Sequence, residues 1–143
     1  MRDGCSATAR EGYNHEALRR LMILVDTSVW IRFLSNRAPY AGALEELLGQ
    51  GEVSGHDFVF GELLIGDKGG RRQLLTDYAL MHQAPVVSHR EVVHFVRQRR
   101  LHGRGIGWVD THLLASALVA RMRLWTADPR LATVAGELGI DYT

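Results

Sequence analysis

Short apolar runs alternate along most of the chain with longer stretches in which apolar residues recur at helical spacing. The short runs end at turn residues and lie at residues 21–25, around Val53, and at residues 85–88, 124–126 and 140–143. In the longer stretches the apolar residues repeat every three or four positions, as in helices that bury one face. This alternation is typical of parallel strands connected by helices, so the pattern predicts an α/β fold.

Residues that start and stop helices indicate where these helices begin and end. Ser28 is expected to cap the first helix, Pro129 to open the last one and Gly139 to close it. The other helices are predicted at residues 41–48, 58–65, 71–81, 89–100 and 110–122. No repeat, low-complexity tract or linker divides the chain, so residues 22–143 are predicted to form one domain.

Residues 1–21 do not follow this alternation. They mix charged and small residues, and the first strand begins only at Leu21 or Met22. Met22 is a candidate for the natural start. We therefore interpret residues 1–21 as a start-site artefact or as a short, loosely held helix, capped by Asn14 and apolar at Ala17 and Leu18. Loss of the fold or of all activity on deletion of residues 1–21 would contradict this interpretation.

The composition agrees with one globular domain. The chain has 143 residues, of which 46% are hydrophobic and 23% charged, and its net charge is +1. A chain of this length can bury enough surface to fold without a disulfide or a structural metal. The single cysteine, Cys5, cannot form an intrachain bridge, and no apolar run is long enough to span a membrane. We therefore expect a cytoplasmic protein without a membrane segment.

Four acidic residues occupy positions where α/β proteins bind ligands. Asp26 directly follows a predicted strand and Asp128 comes just after another, so both lie near the carboxyl ends of strands. Asp110 begins a predicted helix, and Glu62 is the only charged residue in the apolar stretch 58–65. A buried carboxylate is costly unless it is paired or bound to a metal. Simpler explanations are helix capping for the three aspartates and solvent exposure for Glu62.

Taken together, the four carboxylates predict a metal site. Two lie at strand ends and two on helices that can overhang the same edge of the sheet. Like charges packed closely raise one another's pKa, and a divalent ion relieves this repulsion. Oxygen ligands favour Mg²⁺, with Mn²⁺ as the alternative. Zinc is not expected because the chain has no HExxH motif and no cysteine pair, and we interpret the histidines as structural or surface residues.

Two hydroxyl groups lie close to these acids in sequence. Ser28 is two residues from Asp26, and Thr126 is two residues from Asp128. Such groups can support a metal-binding carboxylate from the second layer of contacts. Helix capping and strand solvation are the alternative roles.

A basic segment precedes the third acid. No acidic residue lies between Glu91 and Asp110, and the segment is our candidate for contacting a nucleic-acid backbone. The alternative is a solvated helix face followed by a loop. The arginines of the segment are Arg97, Arg99, Arg100 and Arg104.

The sequence around the four acids consists of distinct blocks in a fixed order. The blocks read MILVDTSVWI from residue 22, ELLIG from residue 62, WVDTHLLASA from residue 108 and WTADPRL from residue 125. Together they resemble the PIN domain family and, within it, the VapC-type ribonuclease toxins of bacterial toxin–antitoxin pairs. The resemblance extends from Met22 to the C-terminus.

This resemblance implies a three-layer α/β/α fold with a parallel sheet of four or five strands. It also implies a magnesium site formed by the four acids, hydrolysis of RNA, and a homodimer held inactive by a cognate antitoxin whose tail occupies a groove near that site. The chain departs from the family in its 21 leading residues and at Pro129, where a polar residue is common. Proline is tolerated at the first position of a helix.

A non-catalytic, PIN-like interaction module is the alternative function. It would use Trp30, Phe33 and Leu34 as a binding surface, although their spacing also fits the buried side of the first helix. Replacing Asp26 by alanine separates the two cases, because an enzyme loses activity while a binding module is barely affected.

Overall fold

A computed structural model describes residues 22–142 of the chain. The predictions made for residues 1–21 lie outside the described residues, as does Thr143. In chain order the elements are β1 (Ile23–Val25), α1 (Thr27–Leu34), α2 (Tyr40–Gly49), β2 (Val53–Ser54), α3 (Asp57–Ile65), α4 (Arg72–Leu80), α5 (His89–Arg99), α6 (Trp108–Ala120), β3 (Arg123–Trp125) and α7 (Pro129–Glu137). This order confirms the α/β class.

The sheet contains three parallel strands in the order β2-β1-β3. Ile23 of β1 lies opposite Val53 of β2, and Leu24 lies opposite Leu124 of β3. The chain crosses from one side of β1 to the other between β2 and β3, so the order reverses beside the carboxyl end of β1. In open α/β sheets such a switch point is where ligands bind.

The expectation of four or five strands is wrong for residues 22–142, where the sheet has three strands and two isolated bridges. Gln83 pairs with Gly55 beside β2, and Asp141 pairs with Leu124 beside β3. The strand predicted at residues 85–88 does not form, because its partner segment leaves the sheet: only Gly55 and His56 separate β2 from the start of α3 at Asp57. The described part of the strand predicted at residues 140–143 contributes the bridge at Asp141.

Helices cover both faces of the sheet. Successive residues of a strand point to opposite faces, and Ile23, Leu24 and Val25 are all at most 3% exposed. Trp30 of α1 is also buried, which places it in the core rather than on a binding surface. These findings agree with a layer of helices on each side of the sheet. No helix within residues 22–142 has the length and apolar character needed to cross a membrane.

The starts of two helices differ from the prediction at positions that matter for the acids. Asp26, not Ser28, is the residue that precedes α1, and its side chain makes no capping hydrogen bond. Helix α6 begins at Trp108 because Gly107 occupies its N-cap position. Asp110 therefore lies inside the first turn of α6 instead of capping it.

Candidate active site

Asp26 lies where β1 ends, and its side chain is held from two directions. The residue is 4% exposed. Ser28 Oγ donates a hydrogen bond to Asp26 Oδ2 at 2.6 Å, and Thr126 Oγ1 donates to the same oxygen at 2.8 Å. The two bonds fix the orientation of the carboxylate and leave Oδ1 outside them. Capping, the simpler explanation for Asp26, does not account for this geometry.

The same two hydroxyl groups also bind the backbone that follows β3. Ala127 N–H donates to Ser28 Oγ at 3.0 Å, and Asp128 N–H donates to Thr126 Oγ1 at 3.0 Å. Each hydroxyl therefore donates to Asp26 and accepts from this backbone. The segment that carries Asp128 is thus connected directly to the end of β1.

Asp128 does act as a helix cap. Its Oδ1 accepts a hydrogen bond from Arg130 N–H at 2.9 Å, and Pro129 occupies the first position of α7, as predicted. The cap uses one carboxylate oxygen only. Because the residue is half-buried and Oδ2 lies outside this bond, the second oxygen can still serve another purpose.

Asp110 lies within electrostatic range of the other three acids. Its Oδ2 accepts a hydrogen bond from Gly107 N–H at 3.0 Å. Burial raises the pKa of Asp110 above its ordinary value; the Gly107 bond lowers it, and the negative charges of Asp26, Asp128 and Glu62 raise it further. All three other acids are therefore close enough to act on one carboxyl group.

Glu62 joins this group from the exposed side of α3. Of the two explanations considered for this residue, solvent exposure is the one that holds. The side chain nevertheless has a specific partner, since Thr27 Oγ1 donates to Glu62 Oε1 at 2.5 Å. Because Thr27 directly follows Asp26, this bond brings Glu62 to the start of α1.

A buried histidine connects the two helices that carry Glu62 and Asp110. His56 is fully buried at the start of α3, where its Nδ1 accepts a hydrogen bond from Phe58 N–H at 3.0 Å. Its Nε2 lies 2.9 Å from Ser116 Oγ in α6 and carries the ring proton, because Nδ1 is an acceptor. Burial lowers the pKa of His56 to about 4, so the ring is neutral at pH 7.

The donor set suits a hard divalent cation held partly through water. Each of the four carboxylates keeps one oxygen outside the hydrogen bonds described above. Within residues 22–142, no three His, Cys, Asp or Glu side chains are arranged to ligate one ion directly. Mg²⁺ usually binds only one or two carboxylates and keeps several waters, so this arrangement is compatible with it.

Comparison with known sequences identifies the family. The sequence model of the PIN domain family matches residues 23–137, a range that includes all four acids. The chain belongs to the PIN domain family. It is 50% identical over 120 residues to a protein named ribonuclease VapC32 from Mycobacterium tuberculosis, in strains CDC 1551 and H37Rv alike. The aligned region covers 83% of this chain and 94% of the relative, which confirms the resemblance to VapC-type proteins.

The basic segment of this PIN domain is not in contact with the acids. Arg104 forms a two-pronged ion pair with Glu137, with nitrogen–oxygen distances of 3.0 and 2.7 Å. Arg97 and Arg99 are exposed in the last turn of α5, and Arg100 is exposed just after it. Positive side chains at a helix C-terminus also interact favourably with the helix dipole, so their position has a structural explanation as well.

Two supporting residues of the PIN domain were missed by the sequence analysis. Gly107 holds Asp110 through its backbone N–H, and its position three residues before an acid has the spacing of a capping box, which was a usable signal. His56 offered no such signal. Its partner Ser116 is sixty residues away in sequence, so only the folded chain reveals the pair.

Proposed function

We propose that this PIN domain is a Mg²⁺-dependent ribonuclease that hydrolyses phosphodiester bonds of RNA, with Mn²⁺ as a possible substitute. The observation that carries the proposal is the placement of the acids at the end of β1, where Ser28 and Thr126 hold Asp26 and the neighbouring Thr27 binds Glu62. Crowded carboxylates are the usual surroundings of a hard divalent ion. RNA is proposed as the substrate because the relative at 50% identity is named a ribonuclease.

The roles of the acids follow from their partners. A bound divalent ion would activate a water and neutralise charge on the scissile phosphate. In the proposal Asp26, Glu62 and Asp110 hold the ion directly or through water. Asp128 is given the smallest part, because capping of α7 already explains its position. The two hydroxyl groups that donate to Asp26 hold its carboxylate in one orientation, in which it would be available to the ion.

The basic segment is proposed to hold the RNA backbone. Arg97, Arg99 and Arg100 are exposed, so their guanidinium groups are accessible to phosphates. Arg104 would have to exchange its carboxylate partner, Glu137, for a phosphate. Its contribution to RNA affinity is therefore expected to be smaller than that of Arg97.

The substitution Asp26→Asn tests the catalytic proposal. Cleavage of single-stranded RNA in Mg²⁺ is expected to fall by about 100-fold or more, with thermal unfolding little changed. The matched control is Asp77→Asn, because Asp77 is an exposed carboxylate on α4 that accepts a hydrogen bond from Gln73. Undiminished cleavage in excess EDTA would refute metal dependence. Equal cleavage by the two variants would show that Asp26 is not catalytic, and a wild type that cleaves no RNA would favour the non-catalytic PIN-like interaction module.

We also propose that the protein is the cytoplasmic toxin of a type II toxin–antitoxin pair. A groove of about 340 Å³ runs along α3 beside Glu62 and includes Phe58 and Ile65. Ile65 is 88% exposed, and apolar side chains in such a position are typical of protein contacts. The tail of a cognate antitoxin would lie in this groove. The test is growth arrest on expression, relieved both by the co-expressed antitoxin and by Asp26→Asn.

A homodimer is the remaining part of the proposal. Leu64 at the end of α3 and Leu80 at the end of α4 are 53% and 83% exposed, respectively. Burying them against a second copy would remove apolar surface from water. Light scattering should give twice the 16.0 kDa of the chain, and Leu80→Asp should shift the mass toward one copy. A wild-type mass of one copy would refute the dimer.

A further inference from the structure

A second concave site lies next to the acids, between the start of α2, β3, α7 and the C-terminal segment. Its volume is about 420 Å³, within the range of roughly 300–1,000 Å³ that is usual for small-molecule sites. None of the roles proposed above uses it. The residues that give it its chemical character are Tyr40, Trp125, Thr126, Thr133, Asp141 and Tyr142.

One wall of this pocket is continuously aromatic. The rings of Tyr40 and Trp125 are stacked, with their centroids 6.1 Å apart and their planes 28° from parallel. The ring of Tyr142 lies 5.4 Å from Trp125 and is tilted by 59°. The guanidinium of Arg32 lies over Tyr40, 5.4 Å from its centroid, and keeps that ring in place. Because Trp125 is 9% exposed and Arg32 lies over Tyr40, a ligand would meet these two rings mainly at their edges, with Tyr142 beside them, which suits an edge-to-face contact with a planar ring.

The pocket and the acids share one residue. Thr126 lines the pocket and donates a hydrogen bond to Asp26 Oδ2 at 2.8 Å. A ligand in the pocket would therefore lie beside whatever group is bound at the acids. If that group is a phosphodiester of RNA, the pocket is within reach of the neighbouring nucleotide.

The polar groups of the pocket favour a base over a phosphate. Asp141 contributes a carboxylate, which repels a phosphate but accepts hydrogen bonds from the amino and ring N–H groups of bases. Thr133 Oγ1 uses its proton on Pro129 O at 2.9 Å, so toward the pocket this oxygen is an acceptor too. The chemistry thus selects a planar, uncharged ring that carries N–H donors.

We propose that this pocket binds a base of the RNA strand whose phosphodiester lies at the acids. The proposal rests on the ribonuclease function proposed above and adds the feature by which the enzyme selects its substrate. The base must leave its stack to enter, so the pocket selects single-stranded RNA over duplex. Bases that direct N–H groups at Asp141 are preferred.

The substitution Thr133→Trp tests the proposal, because the larger side chain at the exposed rim would occupy the pocket. The matched control is Thr76→Trp on α4, because both threonines are exposed in helices and donate to the carbonyl four residues earlier. A short single-stranded RNA and the same strand without bases are titrated in Mg²⁺ against proteins that also carry Asp26→Asn, so that binding is measured without cleavage. The readouts are affinity and the NMR signal of the Trp125 indole N–H.

The expected result is that RNA with bases shifts the Trp125 signal and that the strand without bases does not. Thr133→Trp should weaken binding by roughly 5- to 150-fold, the usual contribution of one base stacked on an aromatic side chain, while the control stays close to wild type. If Thr133→Trp does not fold, Tyr142→Leu removes part of the aromatic wall without filling the pocket and should weaken binding in the same direction.

Other outcomes overturn the proposal in distinguishable ways. If the wild type cleaves RNA and Asp26→Asn does not, but Thr133→Trp binds RNA as tightly as the control, the ribonuclease function stands and the base pocket fails. A Trp125 signal that responds to the antitoxin and not to RNA would assign the pocket to a protein partner. Absence of both cleavage and binding in the wild type would remove the ribonuclease function itself.

Discussion

Thr126 and Asp26 are joined by a hydrogen bond of 2.8 Å although one hundred residues separate them in sequence. The same hydroxyl oxygen accepts a hydrogen bond from Asp128 N–H at 3.0 Å. One side chain therefore positions two of the four acids. The carboxyl ends of β1 and β3 are therefore connected through this side chain. The positions of two charged acids thus depend on an uncharged hydroxyl group.

The substitution Thr126→Val removes this group while keeping the shape of the side chain. RNA cleavage is expected to fall by about 10- to 100-fold, because groups that orient metal-binding carboxylates usually contribute that much. The measurement is kcat/KM at saturating Mg²⁺. Thr76→Val, which removes an exposed helical hydroxyl on α4, provides the control. A loss no larger than that of the control would show that Thr126 does not position the acids.

Asp110→Asn should stabilise the protein in the absence of metal. Burial and the three neighbouring charges raise the pKa of Asp110 in the folded chain. Its contribution to stability is therefore present at low pH and is lost as pH rises through the folded pKa, so the ionised group destabilises the fold at pH 7. Asparagine keeps an oxygen to accept the Gly107 bond but carries no charge.

The measurement for Asp110→Asn is the melting temperature in EDTA and in Mg²⁺. The variant should melt higher than wild type in EDTA, and added Mg²⁺ should raise the melting temperature of the wild type more than that of the variant. A wild type that is unaffected by Mg²⁺ would mean that repulsion among the acids is not relieved by the ion.

Acid should destabilise the fold through His56. Burial lowers the pKa of this histidine from 6.5 to about 4. The unfolded chain therefore binds a proton below pH 6.5 while the folded chain does not, so the stabilising contribution is complete above pH 6.5 and is lost as pH falls to about 4. The full loss is about 3 kcal/mol, at about 1.4 kcal/mol per pKa unit.

Urea unfolding at several pH values between these limits measures the effect. His56→Asn supplies the comparison, because asparagine can also cap α3 but does not titrate. The variant should show a shallower loss of stability with acid than the wild type. Equal slopes for the two proteins would exclude His56 as the cause.

The arginines of the basic segment should differ in their effect on RNA binding. Arg97→Ala is expected to lower the slope of log affinity against log salt by about 0.7, the value for one phosphate contact on a single strand. Arg104→Ala should have a smaller effect, and Glu137→Gln, which releases Arg104, should strengthen binding. Arg72→Ala on α4 is the control. If the slope for Arg97→Ala is unchanged, Arg97 does not contact a phosphate, and the alternative interpretation of the basic segment as a solvated helix face holds.

The positions of Asp26 and Asp128 could be predicted because each comes shortly after an apolar run that becomes a strand. Strand ends in a parallel sheet lie at one edge whatever the details of packing. The start of α6 was predicted two residues too late. Its N-cap, Gly107, has no side chain that would mark a helix start, whereas Asp110 is a common capping residue. Local sequence thus pointed to the acids and to the two hydroxyl groups that orient Asp26, but not to Gly107, which holds Asp110.

The exposure of α3 could not be predicted from its sequence. Apolar residues occur on every side of this helix, so periodicity does not indicate which side is buried. The structure buries Val59 and Leu63 and leaves Leu64 and Ile65 largely in solvent. The contact between Glu62 and Thr27 depends on how α3 packs beside α1, which is a long-range property of the fold.

The outer strands of the sheet limit how another chain could attach. β2 and β3 are two and three residues long, and each is flanked by a segment that pairs with it once, at Gln83 and Asp141 respectively. Short, partly covered edges give an incoming strand few free backbone groups to bind. β-Augmentation is therefore an unsuitable mode of recognition for this fold. Substitutions that change which partner is accepted should be sought among helix side chains, not along the sheet.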